Sequence, residues 1–152
     1  MSAISGIEGL GPTVKIIKKT KRIAIANKES IICGWSLIHK ELKKYKTEFI
    51  PVDSEHFSIW SVIKDHHNSE IEKIFLTASG GPFLNKSIKK NITPSDAIKH
   101  PNWEMGKKIS IDSATLMNKI FELEEARLLF PKFAKKINII IHPQSLVHAI
   151  IQ

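Results

Sequence analysis

The fold class of this chain is visible first in the segment Arg22-Ile23-Ala24-Ile25-Ala26-Asn27-Lys28-Glu29-Ser30. Residues 22–26 are mostly apolar and small or branched, which favours a short buried strand. The polar residues after them open a helix that is predicted to run to about Lys44. A strand that passes through a polar turn into a helix is the building unit of α/β proteins.

The same order occurs again downstream. A second strand is predicted over residues 48–52, ending in Asp53-Ser54-Glu55, and a helix follows from about residue 57 to 64. A third strand, residues 73–77, ends in Ala78-Ser79-Gly80-Gly81-Pro82-Phe83, where two glycines and a proline exclude regular structure. These repeated units predict an α/β fold.

The other segments fit this pattern. The predicted elements are, in chain order, a helix at 12–20, an aperiodic loop at 85–107 with one short helix at 94–98, a long helix from near Asp112 to about Phe130, and a strand at 137–141. That strand enters His142-Pro143-Gln144-Ser145, and another apolar run follows. We expect both ends of the chain to be incomplete, with no partner for the final apolar run.

Composition excludes several classes of protein. The chain has 152 residues and is 42% hydrophobic, which suits one compact domain or one domain with part of another. Its longest apolar stretches fall far short of the roughly 20 residues that a membrane span needs, and no signal peptide is expected. The single cysteine, Cys33, excludes an internal disulfide and is predicted to lie on a buried helix face.

The net charge of +8 is compatible with a polyanion or a phosphorylated substrate. The lysine clusters at 18–22 and 43–46 lack the interleaved aromatic residues that would stack on nucleic-acid bases. Solvated helix ends are therefore the favoured interpretation. Steep loss of DNA binding with rising salt would instead support a nucleic-acid-binding domain.

Polar side chains collect at the carboxyl ends of the predicted strands, where open α/β sheets bind ligands. In extended geometry, Asp53 and Glu55 leave the chain on the same side and could bind one hard cation. A third carboxylate is needed. On the long helix, Asn118, Glu122 and Glu125 fall within roughly 60° of one another. This stripe faces either the metal, through Glu122, or solvent.

An anion site is also indicated. Ser79 stands beside two glycines, Ser113 lies at the predicted start of the long helix, and Lys119 adds a positive charge. His100 and Trp103 lie in the aperiodic loop, so residues 97–107 are predicted to be a mobile lid that closes over a ligand. The pair His66-His67 lacks partners at zinc spacing and is placed on the surface.

Taken together, these residues resemble the 1-deoxy-D-xylulose 5-phosphate reductoisomerase family. The matching strings occur in the family's order and are Ala26-Asn27-Lys28-Glu29-Ser30, Pro51-Val52-Asp53-Ser54-Glu55-His56, Leu76-Thr77-Ala78-Ser79-Gly80-Gly81-Pro82-Phe83, His100-Pro101-Asn102-Trp103-Glu104-Met105-Gly106-Lys107-Lys108-Ile109-Ser110, Asp112-Ser113-Ala114-Thr115-Leu116-Met117-Asn118-Lys119 and Ile141-His142-Pro143-Gln144-Ser145. The family uses NADPH and Mg²⁺ or Mn²⁺ to rearrange and reduce 1-deoxy-D-xylulose 5-phosphate to 2-C-methyl-D-erythritol 4-phosphate, in the non-mevalonate isoprenoid pathway.

The resemblance implies a set of roles. Metal ligands would be Asp53, Glu55 and Glu122. The phosphate of the substrate would be held by Ser79, Ser113, Asn118 and Lys119, with further substrate contacts from Lys28, Ser54, Glu55, His100, Trp103, Met105 and Glu122. Catalysis would depend on Lys28, Glu55, His100 and Glu122. Contacts with NADPH would come from Asn27, Glu29 and Gly106.

The resemblance also implies an organisation. Residues 1–52 would be the C-terminal remnant of a Rossmann-like NADPH-binding domain, and 53–152 a truncated α+β catalytic domain with a mixed sheet. Family members are longer, so the chain is expected to be a fragment that is inactive alone; the alternative is a non-catalytic folded or oligomerising remnant. The intact enzyme is expected to be a homodimer in the bacterial cytoplasm or the plastid, without nucleic-acid or membrane partners. Ile120 is bulkier than the residue expected there.

Overall fold

The computed structural model of the chain describes residues 1–64, 70–84, 91–98 and 106–152. Within these ranges helices and strands alternate as far as β3; three helices and then two strands follow. In order they are α1 (Leu10–Ile17), β1 (Arg22–Ile25), α2 (Lys28–Tyr45), β2 (Glu48–Pro51), α3 (Ser54–Ile63), β3 (Ile74–Ala78), α4 (Pro94–Ile98), α5 (Lys107–Ala114), α6 (Met117–Leu129), β4 (Ile137–Ile141) and β5 (Ala149–Ile151).

The strands form two sheets. β1 and β2 pair in parallel and are connected by α2, as the repeated strand-helix pattern predicts. In the second sheet β3 is central, parallel to β4 and antiparallel to β5. The predicted α/β fold with a mixed sheet is confirmed. The expectation that the final apolar run has no partner is wrong, because β5 pairs with β3.

Two hydrophobic cores hold these layers together. The first lies between α1, α2 and the smaller sheet, and consists of Ile17, Ile23, Ile25, Ile31, Ile38 and Leu42. The second lies between α3, α6 and the mixed sheet, and consists of Ile59, Ile71, Ile74, Leu76, Ala126, Phe130, Phe133 and Ile137. Leu129 packs against both cores. The C-terminal end of α6 therefore joins the two halves of the chain.

The long helix predicted from Asp112 to Phe130 is two helices. Leu116 has a left-handed backbone (φ 60°), which ends α5 and starts α6 in a new direction. The side chain of Thr115 hydrogen-bonds to the carbonyls of Ile111 and Asp112 and caps the end of α5. Ser113 consequently lies in the last turn of α5, and its predicted position at a helix N-terminus is wrong.

Two smaller expectations also differ from the structure. α3 starts at Ser54, three residues earlier than predicted, because the helix includes the polar turn that follows β2. Cys33 is exposed, because α2 turns its neighbours Ile31 and Gly34 toward the core instead. Among the described helices, none has the length and apolar character that crossing a membrane would require.

Gly81 allows β3 to end directly against α5. Its φ is 69°, and a Cβ atom there would lie 2.8 Å from the carbonyl oxygen of Ser113 and 3.2 Å from Cα of Ala114. A side chain would meet rigid backbone in a conformation that L-residues avoid. Only glycine fits this approach.

We expect Gly81→Ala to lower the free energy of unfolding by about 2–4 kcal/mol, combining left-handed strain with overpacking. Gly11 in α1 is the matched control, because a Cβ there would meet no atom within 4 Å. Gly11→Ala should leave stability unchanged or slightly raised. Urea unfolding followed by circular dichroism measures both variants, and equal stabilities would contradict the close approach at Gly81.

Candidate functional site

A cavity of about 400 Å³ opens where β2 and β3 end and α6 begins. This is the position that open α/β sheets use for ligands. Every residue that was predicted to bind metal or substrate and that lies in the described part of the chain lines this cavity, namely Lys28, Asp53, Ser54, Glu55, Ser79, Ser113, Asn118, Lys119 and Glu122. The fold thus collects residues that are up to 94 positions apart in the chain.

Three carboxylates converge on one side of the cavity. Asp53 precedes α3, Glu55 lies in the first turn of α3, and Glu122 lies in the middle of α6. One oxygen from each lies within 4.8 Å of the other two. Glu55 does not have the extended geometry that was predicted, because α3 begins at Ser54; the helical turn brings it to the cluster instead. An all-oxygen set of this kind fits Mg²⁺ or Mn²⁺.

Two lysines, the largely buried Lys28 and the buried Lys119, neutralise most of this negative charge. Lys28 Nζ lies 2.9 Å from both Asp53 Oδ2 and Glu122 Oε1, and 3.0 Å from the side-chain oxygen of Asn118. Lys119 Nζ lies 2.7 Å from Glu55 Oε1 and also forms an ion pair with Glu122. Three carboxylates and two ammonium groups leave one net negative charge, which a divalent cation would reverse.

The same contacts keep these groups ionised although they are buried. Burial opposes the charged form of Lys28, but the carboxylates of Asp53 and Glu122 outweigh it and raise the lysine pKa above 10.5. Lys119 behaves alike, since Glu122 and Glu55 outweigh burial and raise its pKa. For Asp53, burial works against ionisation, and the neighbouring Lys28 nevertheless lowers the pKa of the carboxyl group.

The polar stripe of α6 faces inward. Glu122 is 3% exposed and Glu125 is 1% exposed, whereas Ile120 is 47% exposed. The alternative of a solvent-facing stripe is therefore wrong. Ile120 points away from the cavity, so its bulk does not affect the packing of the carboxylates.

The same cavity also contains groups that suit an anion. The hydroxyl-bearing residues Ser79 and Ser113 line it, with Asn118 and Lys119 from the first turn of α6. The N-termini of both α3 and α6 face this cavity, and a helix dipole favours negative charge at that end. Ser113, at the end of α5, would contribute through its hydroxyl group rather than through a helix N-terminus.

A second cavity, of about 310 Å³, adjoins the first, and Lys28 and Asn118 line both. Residues 3–6 form one of its walls, and the three residues predicted to contact NADPH, Asn27, Glu29 and Gly106, line it as well. A cavity of this size suits one end of a dinucleotide. Glu29 also lies 3.2 Å from Lys108 Nζ.

The side chain of Asn27 is occupied within the protein. Its oxygen accepts a hydrogen bond from the amide of Ser30 (2.6 Å), which caps α2. Its amide nitrogen donates to the carbonyl oxygens of Ile4 and of Gly6, the latter at 2.7 Å. Asn27 thereby ties the wall formed by residues 3–6 to the start of α2.

Two replacements of Asn27 should separate its role as the cap of α2 from its role as hydrogen-bond donor to residues 4 and 6. Asn27→Ala removes both the cap and the donors and should cost about 2–3 kcal/mol of unfolding free energy. Asn27→Ser keeps a capping oxygen and should recover about 1 kcal/mol of that loss. Urea unfolding measures the difference, and equal costs for the two variants would show that the cap contributes nothing.

Other residues near the cavity carry functional chemistry that the sequence interpretation did not assign. Ser145 and His148 line the first cavity, and His148 Nδ1 lies 3.8 Å from Glu55 Oε1. The available signal was the string His142-Pro143-Gln144-Ser145, to which no role was given. His56 and Glu125 are buried next to the carboxylates.

His100, Trp103 and Met105, and with them most of the predicted lid, lie outside the described residues. The pair His66-His67 also lies outside them.

The fold and the cavity define an α/β protein with a cluster of three carboxylates, of a kind that can hold a divalent cation, at the ends of its strands. The chain belongs to the 1-deoxy-D-xylulose 5-phosphate reductoisomerase family. The model of the family's C-terminal domain matches residues 49–130, and a second model of the same family matches residues 1–34.

Individual relatives agree with this assignment. The chain is 64% identical to the 1-deoxy-D-xylulose 5-phosphate reductoisomerase of Pelagibacter ubique (strain HTCC1062), over 100% of this chain and 40% of the relative. It is similar to a crystal structure of DOX-P reductoisomerase in complex with NADPH, fosmidomycin and magnesium, with 45% identity, a TM-score of 0.88, and coverage of 99% of this chain and 40% of that one.

The reductoisomerase from Zymomonas mobilis in complex with NADPH is similar too, with 41% identity, a TM-score of 0.87, and coverage of 100% of this chain and 39% of that one. The chain thus spans about 40% of the length of the curated relatives it matches.

Proposed function

We propose that this chain forms the metal-binding and substrate-binding part of a 1-deoxy-D-xylulose 5-phosphate reductoisomerase. The proposed reaction is the rearrangement and NADPH-dependent reduction of 1-deoxy-D-xylulose 5-phosphate to 2-C-methyl-D-erythritol 4-phosphate. The observation that carries the proposal is the convergence of Asp53, Glu55 and Glu122 beside two buried lysines in one cavity. Relatives named for this activity, and structures that contain NADPH and magnesium, support it.

The two hydrophobic cores support a division of the chain into a cofactor-binding part and a catalytic part. Residues 1–52 contain the first core, and we propose that they are the C-terminal part of an NADPH-binding domain. Residues 53–152 contain the second core and would form the catalytic domain. The two cavities adjoin at Lys28, so substrate and cofactor would meet there.

The residues of the cavity suit specific steps. Asp53, Glu55 and Glu122 would hold the metal. Bound Mg²⁺ or Mn²⁺ would polarise the carbonyl and hydroxyl oxygens of the substrate, and bound NADPH would supply the hydride. The three N–H groups of Lys28 are taken by Asp53, Glu122 and Asn118 in this structure, so one of them would turn to a substrate oxygen when the metal takes the carboxylates.

The phosphate would be bound by Ser79, Ser113, Asn118 and Lys119, which would orient the sugar between metal and cofactor. The substrate contacts of Ser54, His100, Trp103 and Met105, and the cofactor contacts of Asn27, Glu29 and Gly106, belong to the proposal through the family resemblance.

Metal and phosphate binding should be coupled. Lys119 is paired with Glu55 and Glu122 and therefore competes with a cation for these carboxylates. When a cation takes them, the ammonium group becomes free to pair with a phosphate. Binding of a phosphonate should consequently require a divalent metal.

Isothermal titration of the chain with fosmidomycin, the ligand of the similar crystal structure, tests this proposal. We expect binding in the presence of Mn²⁺ and at least about tenfold weaker binding without it, because a charge-assisted contact is lost. A chain that binds Mn²⁺ no more tightly than a Glu122→Gln variant would contradict the proposal.

Homodimer formation and a cytoplasmic location are proposed with the function, because both are expected for the bacterial family. Exposed isoleucines on β4, including Ile140 at 42% and Ile141 at 40% exposed, support self-association. Light scattering after size-exclusion chromatography would show a mass of twice 17.2 kDa if the chain alone dimerises.

A further inference from the structure

Two fully buried side chains stand behind the carboxylate cluster. His56 of α3 is 0% exposed and Glu125 of α6 is 1% exposed. His56 Nε2 lies 2.8 Å from the main-chain oxygen of Glu122. A carbonyl oxygen can only accept, so Nε2 donates its hydrogen to α6.

The other ring nitrogen of His56 faces Glu125. Nδ1 lies 3.7 Å from Glu125 Oε2, and neither atom has a hydrogen-bond partner among the described residues. Two buried acceptors that face each other without a proton between them would be costly. A small approach of the two side chains, with one proton between them, satisfies both atoms.

The pair links the two helices that carry the carboxylates. Glu55 immediately precedes His56 on α3, and Glu122 lies one helical turn before Glu125 on α6. His56 thus connects the first turn of α3, which carries Glu55, to the turns of α6 that carry Glu122 and Glu125.

We propose that Glu125 and His56 are positioning residues, which orient Glu122 toward Glu55 so that both reach one cation. This inference rests on the proposed metal site. Partners of metal ligands typically change metal affinity by about 10–100-fold when they are replaced. An effect of that size is expected here, although neither residue would touch the metal.

The test compares Mn²⁺ binding by variants of the chain, measured by the electron paramagnetic resonance signal of free Mn²⁺. Glu125→Met fills the same volume without a hydrogen bond and should weaken binding by about 10–100-fold. Glu125→Gln keeps a donor toward Nδ1 and should bind close to the wild-type chain. Glu124→Gln, at the exposed neighbouring position, is the matched control and should bind as the wild type does.

The outcomes are distinguishable. Wild-type affinity in Glu125→Met would overturn the inference, since the hydrogen bond would then be dispensable. Loss in Glu125→Gln as large as in Glu122→Gln would also overturn it, because Glu125 would then act through its charge, as a ligand does. If Glu125→Met fails to fold by circular dichroism, His56→Phe removes the same link from α3 and carries the same expectation. Absence of Mn²⁺ binding by the wild-type chain would overturn the proposed function and this inference together.

Discussion

Replacing Glu122 with glutamine will weaken Mn²⁺ binding by about 100-fold or more, which corresponds to about 3 kcal/mol for a buried charge that loses its partner. Glu122 is the carboxylate that both lysines contact, and it is 3% exposed. Glutamine keeps the volume of the side chain but removes its negative charge. The net charge of the cluster then becomes neutral, and a divalent cation gains much less by entering it.

Titration calorimetry with MnCl₂ measures this effect. Glu124→Gln, one position away on the exposed face of α6, is the matched control and should leave the affinity unchanged. Circular dichroism should show both variants folded. Unchanged Mn²⁺ affinity in Glu122→Gln would remove this residue from the metal site and leave Asp53 and Glu55 too few to form one.

Replacing Lys119 with methionine will weaken the binding of fosmidomycin without weakening the binding of Mn²⁺. Fosmidomycin binding in the presence of Mn²⁺ should weaken by at least about tenfold, because one charge-assisted hydrogen bond to the phosphonate is lost. Mn²⁺ binding should be as tight as in the wild type or tighter, because the ammonium group that competes for Glu55 and Glu122 is gone.

Measuring the affinities for Mn²⁺ and for fosmidomycin on the same variant separates a specific effect from a general loss of structure. A general loss of structure would weaken the binding of both ligands, whereas we expect only the phosphonate to bind less tightly. Lys132→Met, at an exposed position after α6, is the control for removing a lysine from this basic chain. Weaker Mn²⁺ binding together with unchanged fosmidomycin binding would show that Lys119 serves the metal cluster rather than the phosphate.

Local patterns in the chain were sufficient for four of the five described strands and for most of the residues that line the cavity. The apolar run before Asn27 and the polar turn after Pro51 predict strands that end where the cavity lies. Carboxylate, hydroxyl and lysine chemistry at those ends predicts which residues line the cavity. Hydrophobic periodicity and side-chain chemistry are properties of neighbouring residues, so they can be read without knowing what packs opposite them.

The geometry within the site depended on tertiary structure. The break at Leu116 lies inside a continuous helical pattern with no glycine or proline to mark it, and it reverses the expected position of Ser113 in its helix. The sequence also did not decide that Glu122 faces inward, because a polar stripe on a helix can face either solvent or a buried cluster of charged groups.

What the sequence by itself determined is therefore the α/β class, four of the five described strands, and the identity of the carboxylates and lysines of the site. Only the tertiary structure decided that Asp53, Glu55 and Glu122 meet within 4.8 Å and that His56 and Glu125 are buried behind them. The physical reason is that a buried charge is tolerated only where a partner compensates it. Here the compensating lysines come from α2 and α6, which meet only when the chain is folded.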